Sequence, residues 1–203
     1  PICQTLVVEN PDQLEIDGLR DLASNLLVVP LQFEGQLVGI LFGADKLDSA
    51  HITSMEAKLC SSLANGLAVA LHNVILYEDM QSMFMGTLRA LTRSIDVKDS
   101  YTLGHSERVA MLSRQIAQAA QLDDHLVERA YLAGLVHDVG KIGVPEAVLT
   151  KPDILRPDEF ALVKQHPDIG ARILGDIRPM RELVPGVLYH HERWDGQGYP
   201  GSL

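Results

Sequence analysis

Cysteine is nearly absent from the 203-residue chain, Cys3 and Cys60 being the only two. Two thiols cannot build the disulfide framework of a small secreted scaffold, and their use fits a reducing cytosol. Positive charge is also short. Seventeen Lys and Arg against 27 Asp and Glu leave a formal net charge of −10. That balance excludes non-specific nucleic-acid binding, which needs many cationic phosphate contacts. An anionic substrate would need local help from a metal ion, a lysine or a helix N-terminus. No uninterrupted run of 18 apolar residues occurs, so no membrane span is expected, and no signal peptide is recognisable. Internal repeats and low-complexity segments are missing too. The chain opens on Pro1 rather than Met and is therefore read as a portion of something longer.

What is present is ordinary globular material: 46% hydrophobic and 22% charged residues. At ~150 residues per domain the length allows one to two domains, enough to hide about two-thirds of the unfolded surface. The first 50 residues read as strand and turn. Leu26–Phe33 and Leu37–Phe42 are apolar runs around the turn signal Glu34-Gly35-Gln36, the pattern of an antiparallel hairpin. Pro30 cannot donate to a ladder and should sit where no sheet bond is needed. From Met55 the period becomes helical, with Leu59, Leu63, Leu67, Ala70, Val74, Tyr77, Met80, Phe84, Leu88, Leu91 and Ile95 at steps of three or four. One rod of roughly 40 residues, about 60 Å long, would join two domains and pair with a partner helix. The alternative is two helices broken near Gly86. Beyond Tyr101 only helices are expected, over 106–120, 124–136, from Pro157, and over 180–191, followed by a turn-rich loop after Glu192.

Eight histidines punctuate the sequence, and their neighbours distinguish them. His137-Asp138 ends an apolar helix, His190-His191-Glu192 follows the apolar Val187-Leu188-Tyr189, and His166 is read as closing a helix before Pro167. Ionisable groups beside an apolar interior are costly unless paired, and a cation would resolve that cost. Neutral imidazole and carboxylate suit first-row divalent metals such as iron, manganese, nickel or zinc. A carboxylate can bridge two such ions, and ions ~3.5–4 Å apart clamp both oxygens of a phosphoester displacement. The plainer alternatives are a buried hydrogen-bonded pair for His137 and Asp138, and a helix C-terminal pair for His190 and His191. His51, His72 and His125 lack such neighbours and are expected at the surface or between helices.

Four blocks in order, Gly104-His105-Ser106-Glu107-Arg108-Val109, Val136-His137-Asp138-Val139-Gly140-Lys141, Lys164-Gln165-His166-Pro167 and His190-His191-Glu192-Arg193-Trp194-Asp195-Gly196-Gln197-Gly198-Tyr199-Pro200, resemble the HD-GYP phosphodiesterases, bacterial enzymes that hydrolyse cyclic di-GMP. The resemblance implies an all-α HD-domain bundle over 98–203 with metal ligands His105, His137, Asp138, His166, His190 and His191, and Asp138 as the bridge. It implies two divalent ions, iron or manganese before nickel or zinc. Tyr101 stands where some members carry a Glu that recruits a third. Asp138 and Lys141 would be the catalytic pair, with Lys141 on a substrate phosphate, and Gly198, Tyr199 and Pro200 would border the substrate pocket or a signalling partner's surface. The family closes its site with an Asp beyond the Gly-Tyr-Pro loop. That position lies past Leu203, so the 203 residues alone are expected to be metal-poor and weakly active.

The front of the chain resembles the C-terminal part of a GAF domain, through the hairpin and the helix carrying His72-Asn73-Val74-Ile75-Leu76-Tyr77. The expected organisation is a partial α+β GAF-like sensory domain at 1–75, a connecting helix at 76–97, and an HD-GYP domain at 98–203 lacking its C-terminal part. The implied protein is a cytoplasmic cyclic di-GMP phosphodiesterase, regulated by its front half and dimeric through the connecting helix. The alternative is a catalytically silent HD-GYP module that signals by protein contact. A different HD hydrolase, acting on nucleoside triphosphates or alarmones, would lack the last motif block.

Overall fold

The computed structural model describes residues 4–9, 25–46, 51–98 and 104–201. Cys3 and Tyr101, both used above, lie outside them. The chain divides into two compact units, Pro1–Ser82 and Met83–Leu203.

In the first unit, strands β1 (Leu6–Val8), β2 (Leu26–Phe33) and β3 (Gln36–Ala44) form one antiparallel sheet in that order. The hairpin reverses on two residues, Glu34 and Gly35, both at positive φ (47° and 80°). A two-residue turn of that hand matches the twist of its strands, and so Gln36 is already paired, with Phe33. Among the described residues β1 pairs with Leu26, Leu27 and Val28. Pro30 therefore lies past the end of that ladder, where its missing donor is tolerated.

Helix α1 (Ser54–Lys98) is one element of 45 residues, without a break at Gly86. Thr53 and Glu56 start it reciprocally: the Thr53 N–H donates to the Glu56 carboxylate at 2.7 Å, and the Glu56 N–H donates to the Thr53 hydroxyl at 3.3 Å. Its sheet-facing stripe is small. Ala64 and Ala68 are fully buried against Leu27, Val29 and Leu31, because only a methyl lets helix and sheet backbones close up. The larger stripe one position along stays outside: Leu63 is 67% exposed and Tyr77 61%. Near its end the same helix changes role, and Leu88 and Ile95 enter the core of the second unit. By length and composition, with mean hydropathy 1.5 over 18 residues, α1 is also long and apolar enough to cross a membrane. The lack of an uninterrupted apolar run is thus a weaker argument than its mean hydropathy.

The second unit holds α2 (His105–Ala119), α3 (Asp124–Val136), a 3-10 turn (Val139–Gly143), α4 (Glu146–Leu149), α5 (Pro157–Val163), α6 (His166–Gly175), a second 3-10 turn (Arg178–Leu183) and α7 (Val184–Leu188). Asp123 caps α3, accepting the Leu126 N–H at 2.9 Å. Glu159 accepts the Arg156 N–H at 2.8 Å at the start of α5. Tyr131, Leu135, Val136, Val139, Leu174 and Val187 form the centre of the core together with the end of α1. Two expectations change. His166 opens α6 instead of closing a helix, because Pro167 needs no N–H in a first turn. The helix expected over 180–191 is a 3-10 turn followed by the short α7, which restarts with Pro185 in its own first turn.

The first 3-10 turn packs on α6 backbone to backbone. A Cβ at Gly140 would fall on the His166 carbonyl oxygen, and Gly170 N would lie only 2.5 Å from it. Gly140→Ala should therefore destabilise the second unit by about 1–3 kcal/mol or more, as overpacking does. Gly175→Ala, where a Cβ meets nothing within 4 Å, should stay within ~0.5 kcal/mol. Denaturant melts of the two variants check this, and equal stabilities would contradict the packing described.

Candidate metal centre

Four chain segments converge on one carboxylate. Asp138 directly follows His137 at the end of α3, and the preceding Leu135 and Val136 are 1% exposed, which anchors that end in the core. His105 is the first residue of α2 and His166 the first of α6; His190 and His191 follow α7. His137, Asp138 and His166 are all buried.

Three of the rings are fixed in the same way. Nδ1 of His137 lies 2.7 Å from the Gly134 carbonyl, Nδ1 of His166 2.7 Å from that of Val163, and Nδ1 of His190 2.7 Å from that of Val187. A carbonyl only accepts, so each Nδ1 carries a proton and each ring turns its Nε2 toward the centre. Such outer hydrogen bonds orient metal-ligating histidines generally.

The two oxygens of Asp138 face different partners. Oδ1 lies 3.2 Å from His166 Nε2 and 3.8 Å from His190 Nε2. Oδ2 lies 3.2 Å from His137 Nε2 and 2.9 Å from Lys141 Nζ. Two donor groups result, Asp138–His166–His190–His191 and His105–His137–Asp138, and within each the donor atoms lie within 4.8 Å of one another. Nε2 of His166 and Nε2 of His190 are 3.1 Å apart. Two lone pairs at that distance repel unless a cation or proton lies between them, so the donor set fits divalent metal ions.

The electrostatics agree. Burial alone would raise the Asp138 pKa, but hydrogen bonds from His137 and His166 and the positive charge on His137 and Lys141 hold the carboxyl far below its usual range. Burial also opposes protonation of His137, yet its hydrogen bond to Asp138 and that carboxylate's charge raise it. Burial, then the neighbouring imidazoles, pull His190 down to about 3 and His191 down to about 4. His105 is lowered as well, by burial and by His137. At neutral pH the centre thus offers an ionised carboxylate together with His105, His190 and His191 in their unprotonated form.

The other singled-out residues take definite places. Lys141 stands on Asp138, with its side chain 12% exposed. Tyr199 stacks on His191, ring centroids 4.6 Å apart at 21°, and its N–H donates to the His191 carbonyl at 3.3 Å. Burial raises the Tyr199 pKa, and the Asp138 charge adds to it. Gly198 allows the loop to fold back on itself, since a Cβ there would collide with the backbone of Glu192 and Arg193. The Tyr199–Pro200 bond is cis. This loop walls a cavity of about 440 Å³ with Phe160, Lys164, His190 and His191. His72 stacks on Phe33 in the first unit, and His125 pairs with Glu182, so neither belongs to the centre. Sequence reasoning missed Lys164, whose Nζ lies 5.1 Å from the Tyr199 ring. It also missed Asp96, buried at the end of α1 and bonded to Gly104 and Ser106 on either side of His105. Lys164 stands in the third motif block without an assigned role, and no motif marks Asp96.

Among known proteins, the chain is 43% identical over 135 residues to a cyclic di-GMP phosphodiesterase of Pseudomonas aeruginosa, which is 65% of this chain and 33% of that protein. It is 40% identical over 129 residues to a cyclic di-GMP phosphodiesterase of Thermotoga maritima, covering 63% of the chain and 35% of that protein. Over 179 residues, 83% of the chain and 41% of the relative, it is 30% identical to 3'3'-cGAMP-specific phosphodiesterase 1 of Vibrio cholerae. The chain thus spans about a third of the length of the first two relatives. The HD domain family matches residues 89–203, the stretch that holds every residue of the candidate centre and more than half of the chain. The protein belongs to the HD domain family.

Proposed function

We propose that residues of the second unit form the catalytic centre of a cytoplasmic HD-GYP-type phosphodiesterase that hydrolyses cyclic di-GMP, with the first unit as a GAF-like regulatory domain. The observation that carries this reading is the division of the Asp138 carboxylate between two sets of histidine donors. His105, His137 and Asp138 would hold one divalent ion, and Asp138, His166, His190 and His191 the other, with iron or manganese as the metal. When bound, such a pair polarises the phosphodiester and activates water for attack.

The chain's own residues do the rest. The backbone carbonyls of Gly134, Val163 and Val187 keep the proton on each Nδ1, so the ligating nitrogens need no rearrangement. Lys141 is a largely covered cation beside the carboxylate, placed to offset charge gathering on the phosphoryl oxygens. Tyr199 and Lys164 line the adjoining cavity, where they offer a ring face and a cation to a nucleotide. With a net charge of −10, the protein needs such local cations to retain an anionic dinucleotide. The relatives named for cyclic di-GMP support the substrate, and those named for 3'3'-cGAMP make it the competing one. The exposed apolar stripe of α1, including Leu63, Val74 and Tyr77, supports a homodimer through that helix, since apolar burial contributes ~25 cal/mol per Å².

In the intact protein, Asp138→Ala should lose nearly all bound metal and all hydrolysis while its circular dichroism keeps the helical signal. Elemental analysis with product analysis on cyclic di-GMP and 3'3'-cGAMP decides this. Full metal occupancy in the variant, or turnover of 3'3'-cGAMP alone, would overturn the assignment of the bridge or of the substrate respectively. Light scattering at tens of micromolar, roughly the range of a weak dimer, should give twice the chain mass, and Leu63→Glu with Val74→Glu should give the monomer. A wild-type monomer contradicts the helix seam.

A further inference from the structure

Helix α2 carries His105 on its first residue, yet it has no cap of its own. The residue before it is Gly104, at φ 68°, which has no side chain to accept the free N–H groups of the first turn. Among the described residues, a carboxylate from another helix serves this end. Asp96, 3% exposed near the end of α1, accepts the Gly104 N–H on Oδ2 at 3.1 Å and the Ser106 hydroxyl on Oδ1 at 2.8 Å. The two donors flank His105 in sequence, so one buried carboxylate holds the Gly104 backbone before that ring and the Ser106 side chain after it. Its negative charge also lies at the positive end of the α2 dipole.

Two neighbours of Asp96 on α1 reach other parts of the same centre. The Thr92 hydroxyl donates to Leu88 O at 2.9 Å and is shared with Leu135 O at 3.3 Å, two residues before His137. The Lys98 ammonium donates to Val144 O at 2.9 Å and Ile142 O at 3.3 Å, closing the 3-10 turn that carries Lys141. These tethers reach the segments of His105, His137 and Lys141. Those of His166, His190 and His191 are instead fixed through α6 and α7. The division follows that of the two donor groups.

We propose that Asp96 is the positioning residue of His105, and that through Asp96, Thr92 and Lys98 the last two turns of α1 set the His105–His137–Asp138 half of the metal centre. This rests on the two-ion reading above and adds the means by which one half is held from α1, Asp138 being common to both halves. A displacement of the end of α1 would loosen one ion and leave its neighbour in place.

The test is manganese binding, read by electron paramagnetic resonance on the intact, metal-stripped protein, alongside thermal melts. The wild type should bind two ions. Asp96→Ala should weaken one of them by about 10–100-fold, as losses outside the ligand shell do, and leave the other unchanged. Asp96→Asn keeps one acceptor and should fall between the two. It also serves if the alanine variant fails to fold, because its shape is preserved. Ser106→Ala, which removes one of the two donors, should show a smaller loss at the same ion. Loss of both ions in step with the melting temperature, in Asp96→Asn as well, would reduce Asp96 to a stability residue and overturn the proposal. Unchanged affinities in the folded variants would overturn it too. A wild type that takes up no manganese would overturn both this proposal and the two-ion reading, which separates the two failures.

Discussion

A carboxylate buried among imidazole nitrogens is the constraint on which the second unit depends. Asp138 is 6% exposed, in contact with His137, His166 and Lys141, and its charge cannot be screened by bulk water. Removing a charge from solvent costs several kcal/mol after relaxation, and the surrounding donors have to offset it. Lys141 and the hydrogen-bonded histidines do so in part. The inward-facing lone pairs of His166 and His190, 3.1 Å apart, leave a requirement for further positive charge that divalent ions satisfy.

The fold meets that constraint with backbone more than with side chains. Gly140 lets the 3-10 turn after Asp138 lie directly on the start of α6, which brings His166 within 3.2 Å of the carboxylate. Carbonyls at the ends of α3, α5 and α7 orient three rings from the position three residues earlier. Helix ends are where unpaired carbonyls accumulate, so placing a histidine just past each end gives it an acceptor at no extra cost in side chains. The Gly198-Tyr199-Pro200 loop then closes one side by stacking Tyr199 on His191.

Much of this was legible in the sequence and some of it was not. The hairpin, the long helix and the convergence of His105, His137, Asp138, His166, His190 and His191 could be read, because apolar periodicity and ordered motif blocks survive in one dimension. The direction of the α1 faces could not. Spacing marked the large residues Leu63 and Val74, which stay exposed, but not Ala64 and Ala68, which meet the sheet, since close approach selects small side chains. His166 was placed at the wrong end of a helix, because a proline after a histidine marks a stop and a start alike. Asp96 went unnoticed for another reason: its partners Gly104 and Ser106 become neighbours only when α1 and α2 are brought together. The outer hydrogen bonds of the rings use main-chain oxygens, which carry no sequence signature at all.

The central claim is that one carboxylate divides two ions between two sets of histidines. Anomalous diffraction from crystals of the manganese-loaded protein addresses it directly. The account predicts two peaks about 3.5–4 Å apart, as in two-metal phosphoester sites, one against each oxygen of Asp138, with His105 and His137 on one and His166, His190 and His191 on the other. A single peak, or two peaks of which Asp138 contacts only one, would contradict it.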